Sequence, residues 1–161
     1  MIEDMKTSNY RPKRLSAHFS LREFEKSAMA ERLLKETGNP AYKNLMTSNC
    51  IANAILLCEH VLEPVRNHFG VPIHISSGYR CTALNKAVGG APKSQHMKGQ
   101  AADIYINAPP LTLRDIYLWM VDNLSFDQLI WEVRGGGRSK WIHVSYKNEK
   151  ANRQQVFTCK R

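Results

Sequence analysis

The stretch SQHMKGQAADIYI, residues 94–106, runs from a polar loop into a strand, and it organises the interpretation of the whole chain. From residue 101 onward the apolar and less apolar positions follow the two-residue period of a strand with one buried face. Asp103 then faces one side of the strand, and Ile104 faces the other. His96 lies seven residues before Asp103, in a loop long enough to fold back over the strand end.

A second strand offers a matching side chain. In WIHVSY, residues 141–146, His143 shares one face with Trp141 and Ser145, while Ile142 and Val144 point to the expected core. Two imidazoles and one carboxylate form a typical open zinc site that leaves the fourth position for water. Zinc lowers the pKa of such a water toward ~7 and polarises a scissile carbonyl.

The spacing alone leaves an alternative open. The chain has six histidines and fourteen acids, so a triple of this kind also arises by chance, with a solvated His96 and a packed His143. No H-E-x-x-H sequence occurs, which excludes the commonest zinc-protease helix.

Glu132 is the candidate general base, at the end of the strand LIWE, residues 129–132. If the glycine-rich turn at 135–137 closes the hairpin in an odd-sum register, Glu132 lies directly or diagonally opposite His143 on one face. There it could take a proton from water and pass it to a leaving amine. An even-sum register would place it on the wrong face, and both registers remain possible.

The order of elements predicts an α+β domain in which helices back an antiparallel sheet. Apolar positions at helical spacing predict a long helix over 48–69, interrupted at Pro64 and closed by Gly70. We expect a strand at 71–75, a capped helix over 112–123, and a hairpin of strands 127–133 and 140–146. Residues 1–18 are interpreted as a flexible arm, and residues 19–161 as a single domain.

The net charge of +9 favours anionic partners such as a cell wall. The basic residues are spread between the two ends and do not alternate with aromatic residues, so a nucleic-acid module is not indicated. No segment predicts a signal peptide or a transmembrane helix, and the four scattered cysteines are interpreted as free thiols. We expect a monomer that is synthesised in the cytoplasm and acts on the cell wall, in the periplasm or outside the cell, if released.

Three motifs carry a resemblance to a known family. Residues 94–103 match S-x-H-x-x-G-x-A-x-D, residues 141–143 match W-x-H, and residues 76–80 are similar to an upstream S-G-Y-R element. The chain thereby resembles the zinc D-alanyl-D-alanine carboxypeptidases and L-alanyl-D-glutamate endopeptidases, from about residue 19 to 156. It looks closest to their small phage and prophage branch.

The resemblance implies the hedgehog/DD-peptidase-like fold and a Zn²⁺ ion held by His96, Asp103 and His143. It also implies a peptidoglycan stem peptide as the substrate, cut by an endopeptidase (a lysin) or by a D-Ala carboxypeptidase. Arg80 would contribute to catalysis by anchoring a substrate carboxylate, or else would hold a structural ion pair. Ser94 would bind substrate or shape its loop, and Trp141 would line the cleft or pack beside the sheet.

One position departs from many relatives, which place the catalytic acid three residues before the last histidine. Lys140 stands there, and a cation is a poor base. Other relatives place a glutamate further upstream, an arrangement that Glu132 fits. A zinc-containing binding module without turnover is the alternative if Glu132 points away from the metal.

Overall fold

A five-stranded sheet forms the centre of the domain in the computed structural model, which describes residues 11–161. The strands lie in the order β1-β2-β4-β3-β5. Neighbouring strands are antiparallel except for β3 and β5, which are parallel. The strands are β1 (His74–Ser77), β2 (Ala101–Tyr105), β3 (Gln128–Arg134), β4 (Ser139–Ser145) and β5 (Gln155–Lys160).

The helices confirm the α+β prediction. They are α1 (Leu21–Glu25), α2 (Ala28–Thr37), α3 (Ser48–Leu57), α4 (Glu63–Phe69), α5 (Thr82–Ala87) and α6 (Leu113–Asn123). Thr112 and Asp115 form the reciprocal side-chain and backbone bonds of a capping box at the start of α6, as predicted. No helix of residues 11–161 is long and apolar enough to cross a membrane.

The predicted long helix is present as α3 and α4, joined by a π-helical turn over Cys58–Leu62. The interruption lies just before Pro64, whose ring nitrogen has no proton to donate to the preceding turn, as expected. The wider turn keeps the backbone bonded, since the Glu63 N–H donates to the Cys58 carbonyl five residues back. The helix ends at Gly70, which adopts a left-handed φ of 66°.

The hydrophobic core covers one face of the sheet. Ile142 and Val144 on β4 are fully buried there, as are Ile104 and Leu129 on the neighbouring strands. Residues of β4 alternate in direction, so His143 lies on the other face. Strand alternation therefore separates a packed face from a face that is available for chemistry.

Strand β1 begins later than predicted, at His74 instead of residue 71. Pro72 precedes it and cannot donate to a backbone ladder, which explains the delay. Strand β5 was not predicted at all. Its residues are almost all exposed and carry no apolar alternation, so the pattern that reveals a half-buried strand is missing.

The arm predicted for residues 1–18 lies partly outside the described residues, which begin at Arg11. From there the chain lies against the domain, where Leu15 is only 5% exposed and Arg11 donates to the Met46 carbonyl at 2.8 Å. His18 Nδ1 also lies 2.7 Å from Glu63 Oε2. The division of the chain at residue 18 stays a prediction.

Candidate metal centre and cleft

His96 is held rigidly in a short 3₁₀ turn over Gln95–Lys98. The turn begins at Ser94, whose hydroxyl accepts a hydrogen bond from the His96 N–H at 3.3 Å. Its imidazole Nδ1 lies 2.6 Å from the Gly78 carbonyl oxygen, which can only accept, so Nδ1 carries the proton. The lone pair of His96 Nε2 is therefore free to bind a cation.

Asp103 and His143 are direct cross-strand partners on β2 and β4. His143 Nδ1 lies 2.9 Å from Asp103 Oδ1, and His96 Nε2 lies 3.2 Å from His143 Nδ1 and 3.3 Å from Asp103 Oδ1. The loop and the two strands thus bring together the three residues that the sequence singled out. Their ligand atoms all lie within 4.8 Å of one another, so the group could hold a metal ion.

The donor set of these residues fits zinc. Tetrahedral zinc with bonds of about 2.0–2.1 Å separates its ligand atoms by roughly 3.3 Å, close to the separations found here. Burial lowers the pKa of His96, which favours the neutral imidazole that a metal needs. Burial alone would raise the pKa of Asp103, but the hydrogen bond from His143 Nδ1 holds it well below its usual range, so the carboxylate is ionised.

Arg80 contacts the outer side of Asp103. Its Nη2 lies 3.3 Å from Asp103 Oδ2, its Nε donates to Ser77 Oγ at 3.0 Å, and its Nη1 lies 3.4 Å from Asn85 Oδ1. The guanidinium therefore orients the carboxylate whose other oxygen faces the two histidines. Of the two roles considered for Arg80, the ion pair is present in the structure, and the substrate role stays a prediction.

Glu132 lies on the same face as His143. Strand β3 pairs with β4 so that Ile130 opposes His143 and Glu132 opposes Trp141. This is an odd-sum register, and it makes Glu132 the diagonal neighbour of His143. Lys140 is exposed and alternates onto the other face.

Ser94 and Trp141 both line the cleft. Ser94 shapes its loop through the bond to His96, and its contact with substrate stays a prediction. The Trp141 ring lies 5.3 Å from the Arg134 guanidinium carbon, a cation–π contact. Tyr79 is 9% exposed and belongs to the hydrophobic core.

The three candidate ligands, Glu132, Ser94 and Trp141 line a cleft of about 770 Å³. Its lining is rich in cations, contributed by Lys26, Arg80, Lys93, Arg134, Arg153 and Arg161, whereas among residues 11–161 its only acids are Asp103 and Glu132. The sequence did not single out Arg134, Arg161 or Gln95 as cleft residues. Strand alternation could have predicted that Arg134 lies on the same face of β3 as Glu132. Arg161 comes directly after β5, and it reaches the cleft because β5, which was not predicted, pairs with β3.

A protein-family comparison agrees with the site. The model of the peptidase M15 family matches residues 18–145, a range that includes all three candidate ligands. No curated protein matches the chain. The chain belongs to the peptidase M15 family, and this membership indicates a zinc-dependent metallopeptidase.

Proposed function

We propose that this protein hydrolyses a peptide bond in peptidoglycan stem peptides, with Zn²⁺ held by His96, Asp103 and His143. The proposal rests on the convergence of these three side chains at the wall of a large cleft, beside a glutamate on the same sheet face. Both an endopeptidase of the lysin type and a D-Ala carboxypeptidase fit this arrangement. We also propose that the protein belongs to the small phage and prophage branch of the family, and that it acts on the cell wall after its release.

Each side chain of the centre has a separate task. Zinc, when bound, supplies a Lewis acid that polarises the scissile carbonyl and acidifies water. His96 is held in its metal-binding tautomer by the Gly78 carbonyl. Glu132 takes the proton of the attacking water at a carboxylate oxygen and returns it to the nitrogen of the leaving amine.

The charge of the cleft supports an anionic peptide as the substrate. Asp103 is paired with Arg80, and Arg153 is bonded to the buried Asp127, so these charges are already compensated. In the part of the chain that the structure describes, the cations that remain along the cleft are Lys26, Lys93, Arg134 and Arg161, and they outnumber the remaining acid, Glu132. Stem peptides carry free carboxylates, and the positively charged lining of the cleft attracts them.

The alternative function, a zinc-containing binding module without turnover, requires Glu132 to point away from the metal. The register of β3 on β4 places Glu132 on the face of His143, which favours the hydrolase.

Mass spectrometry of muropeptides tests the proposal and identifies the bond. Purified peptidoglycan is incubated with the zinc-loaded protein and, as a control, with chelator-treated protein. We expect new peptide fragments only with zinc, and their masses distinguish an endopeptidase from a D-Ala carboxypeptidase. An unchanged muropeptide profile with fully zinc-loaded protein would favour the binding module instead.

A further inference from the structure

Two buried side-chain polar atoms lack a hydrogen-bond partner among residues 11–161, and both belong to residues that line the cleft. They are Gln95 Nε2 and Glu132 Oε2. Buried polar groups are almost always bonded, because an unmade bond costs about 1–3 kcal/mol. Glu132 has a catalytic role in the proposed function, but Gln95 has none.

The backbone of Gln95 is fixed by the turn that carries His96. Gln95 begins the 3₁₀ turn that carries His96, and its carbonyl accepts a hydrogen bond from the Gln100 N–H at 3.0 Å. The residue is therefore fixed next to one candidate zinc ligand, just as Glu132 is fixed diagonally to another.

The two unpartnered atoms are chemically complementary. Gln95 Nε2 can only donate, and an ionised Glu132 can only accept. Asp103, another acceptor that lines the cleft, is already engaged by His143 and Arg80. A bound peptide supplies what is missing, since its carbonyl oxygens accept and its amide protons, or the attacking water, donate.

We propose that Gln95 is a substrate-binding residue whose side-chain amide donates a hydrogen bond to a carbonyl oxygen of the bound peptide. This inference rests on the proposed function for its choice of ligand. On this proposal, the unmet donor costs stability in the free protein, and the bound peptide satisfies it.

Gln95→Met tests this role, because methionine keeps the length of the side chain and removes the donor. Binding of the pentapeptide L-Ala-γ-D-Glu-L-Lys-D-Ala-D-Ala is measured by calorimetry in zinc-loaded Glu132→Gln protein, which prevents turnover. We expect Gln95→Met to raise Kd about tenfold, or ~1.4 kcal/mol. Gln95→Glu should weaken binding at least as much, since an acceptor would face the carbonyl.

Thermal unfolding without peptide separates a binding role from a structural one. Removal of an unmet buried donor should leave the Tm unchanged or raise it by about 2–4 °C. The matched control is Gln100→Met, a half-buried position that does not line the cleft, which should leave Kd unchanged. An unchanged Kd in Gln95→Met, or a raised Kd together with a lowered Tm, would overturn the inference.

The outcomes also separate this inference from the proposed function. Binding that depends on Gln95, together with no cleavage by the wild-type protein, would support the inference and refute the hydrolase. Cleavage by the wild-type protein, together with binding that does not depend on Gln95, would support the hydrolase and refute the inference. Absence of both binding and cleavage would contradict both.

Discussion

Asp103 is fixed from two sides, and its two carboxylate oxygens have different partners. Oδ1 faces the imidazoles of His96 and His143, and Oδ2 faces the guanidinium of Arg80. Partners behind a metal ligand set its orientation and its basicity. At the scale of single residues, the site therefore depends on Arg80 as well as on the three candidate ligands.

Arg80→Lys distinguishes the two roles considered for this arginine. A lysine cannot reproduce the three directed contacts to Asp103, Ser77 and Asn85, so we expect zinc affinity to fall about 10–100-fold. Zinc affinity is measured by competition with a chelator. Arg114→Lys, at an exposed position of α6, is the control. Unchanged zinc affinity with a raised KM would instead assign Arg80 to the substrate carboxylate.

Glu132→Gln tests the general base. The substitution preserves shape but removes the proton acceptor, so we expect kcat to fall by about 10²–10⁴ with full zinc content. Metal analysis and kinetics on one peptide substrate measure both quantities. Glu149→Gln, at an exposed position, should behave as the wild-type protein. Undiminished turnover in Glu132→Gln would remove Glu132 from the mechanism.

At the scale of elements, the turn that carries His96 depends on close backbone contact with α3. Gly99 ends that turn with a φ of +70°, and a Cβ placed there would lie 2.3 Å from the Cys50 carbonyl oxygen. Glycine is therefore required for two reasons, its left-handed conformation and its lack of a side chain.

Gly99→Ala should destabilise the protein more than Gly38→Ala. Gly38 has a similar φ of +65° but no atom within 4 Å of a Cβ, so its substitution costs about 1 kcal/mol. The clash at Gly99 adds about 1–3 kcal/mol. Urea unfolding of both variants measures the difference. Equal losses in the free energy of unfolding would show that the backbone at Gly99 moves away from Cys50 without cost.

An ion pair joins the segments that lead into β3 and β5, in addition to the ladder between the two strands. The buried Asp127 accepts hydrogen bonds from Arg153 Nε at 2.9 Å and Nη2 at 2.6 Å, and Lys147 Nζ lies 3.1 Å away. Burial alone would raise the pKa of Asp127, but these cations lower it from 3.8 to about 2. Asp127 is therefore ionised in the folded state wherever the domain is expected to work.

Asp127→Asn should lower the free energy of unfolding by about 1–2 kcal/mol at neutral pH, a value reduced for the partial exposure of its partners. Folding lowers the pKa of Asp127. The contribution of its ion pair to the free energy of unfolding is therefore complete above pH 4 and disappears as the pH falls toward 2. The difference between the variant and the wild type should shrink over that interval. Asp122→Asn, at an exposed position, is the control, and a pH-independent difference would contradict this account.

At the scale of the whole molecule, the candidate metal centre links segments that are far apart in the chain. His96 lies in the loop before β2 and His143 on β4, so an ion bound between them joins the two. An unfolded chain cannot hold three such distant ligands together. Binding of zinc to the folded state alone therefore adds to stability.

Zinc removal should lower the Tm. At free zinc about 100 times Kd the stabilisation is ~2.7 kcal/mol, or about 5–10 °C for a chain of this size. Scanning calorimetry with zinc and with chelator measures the shift. In His143→Ala, which lacks one ligand, the shift should be much smaller. A similar zinc-dependent shift in both proteins would place the ion elsewhere.

The sequence by itself determined the features that depend on local chemistry. Strand alternation placed His143 opposite the core, Pro64 and Gly70 marked the interruption and end of the long helix, and the capping pair at Thr112 marked the start of α6. Each follows from sterics and hydrogen bonds within a few residues, which the order of side chains specifies directly.

Only the tertiary structure decided which distant segments meet. The register of β3 on β4 placed Glu132 beside His143, whereas a slip of one residue would have turned it to the core. The contact of Arg80 with Asp103 and the parallel pairing of β5 with β3 likewise join residues that are distant in the chain. Such pairings depend on turn geometry and on the packing of the whole sheet, so no short stretch of sequence specifies them.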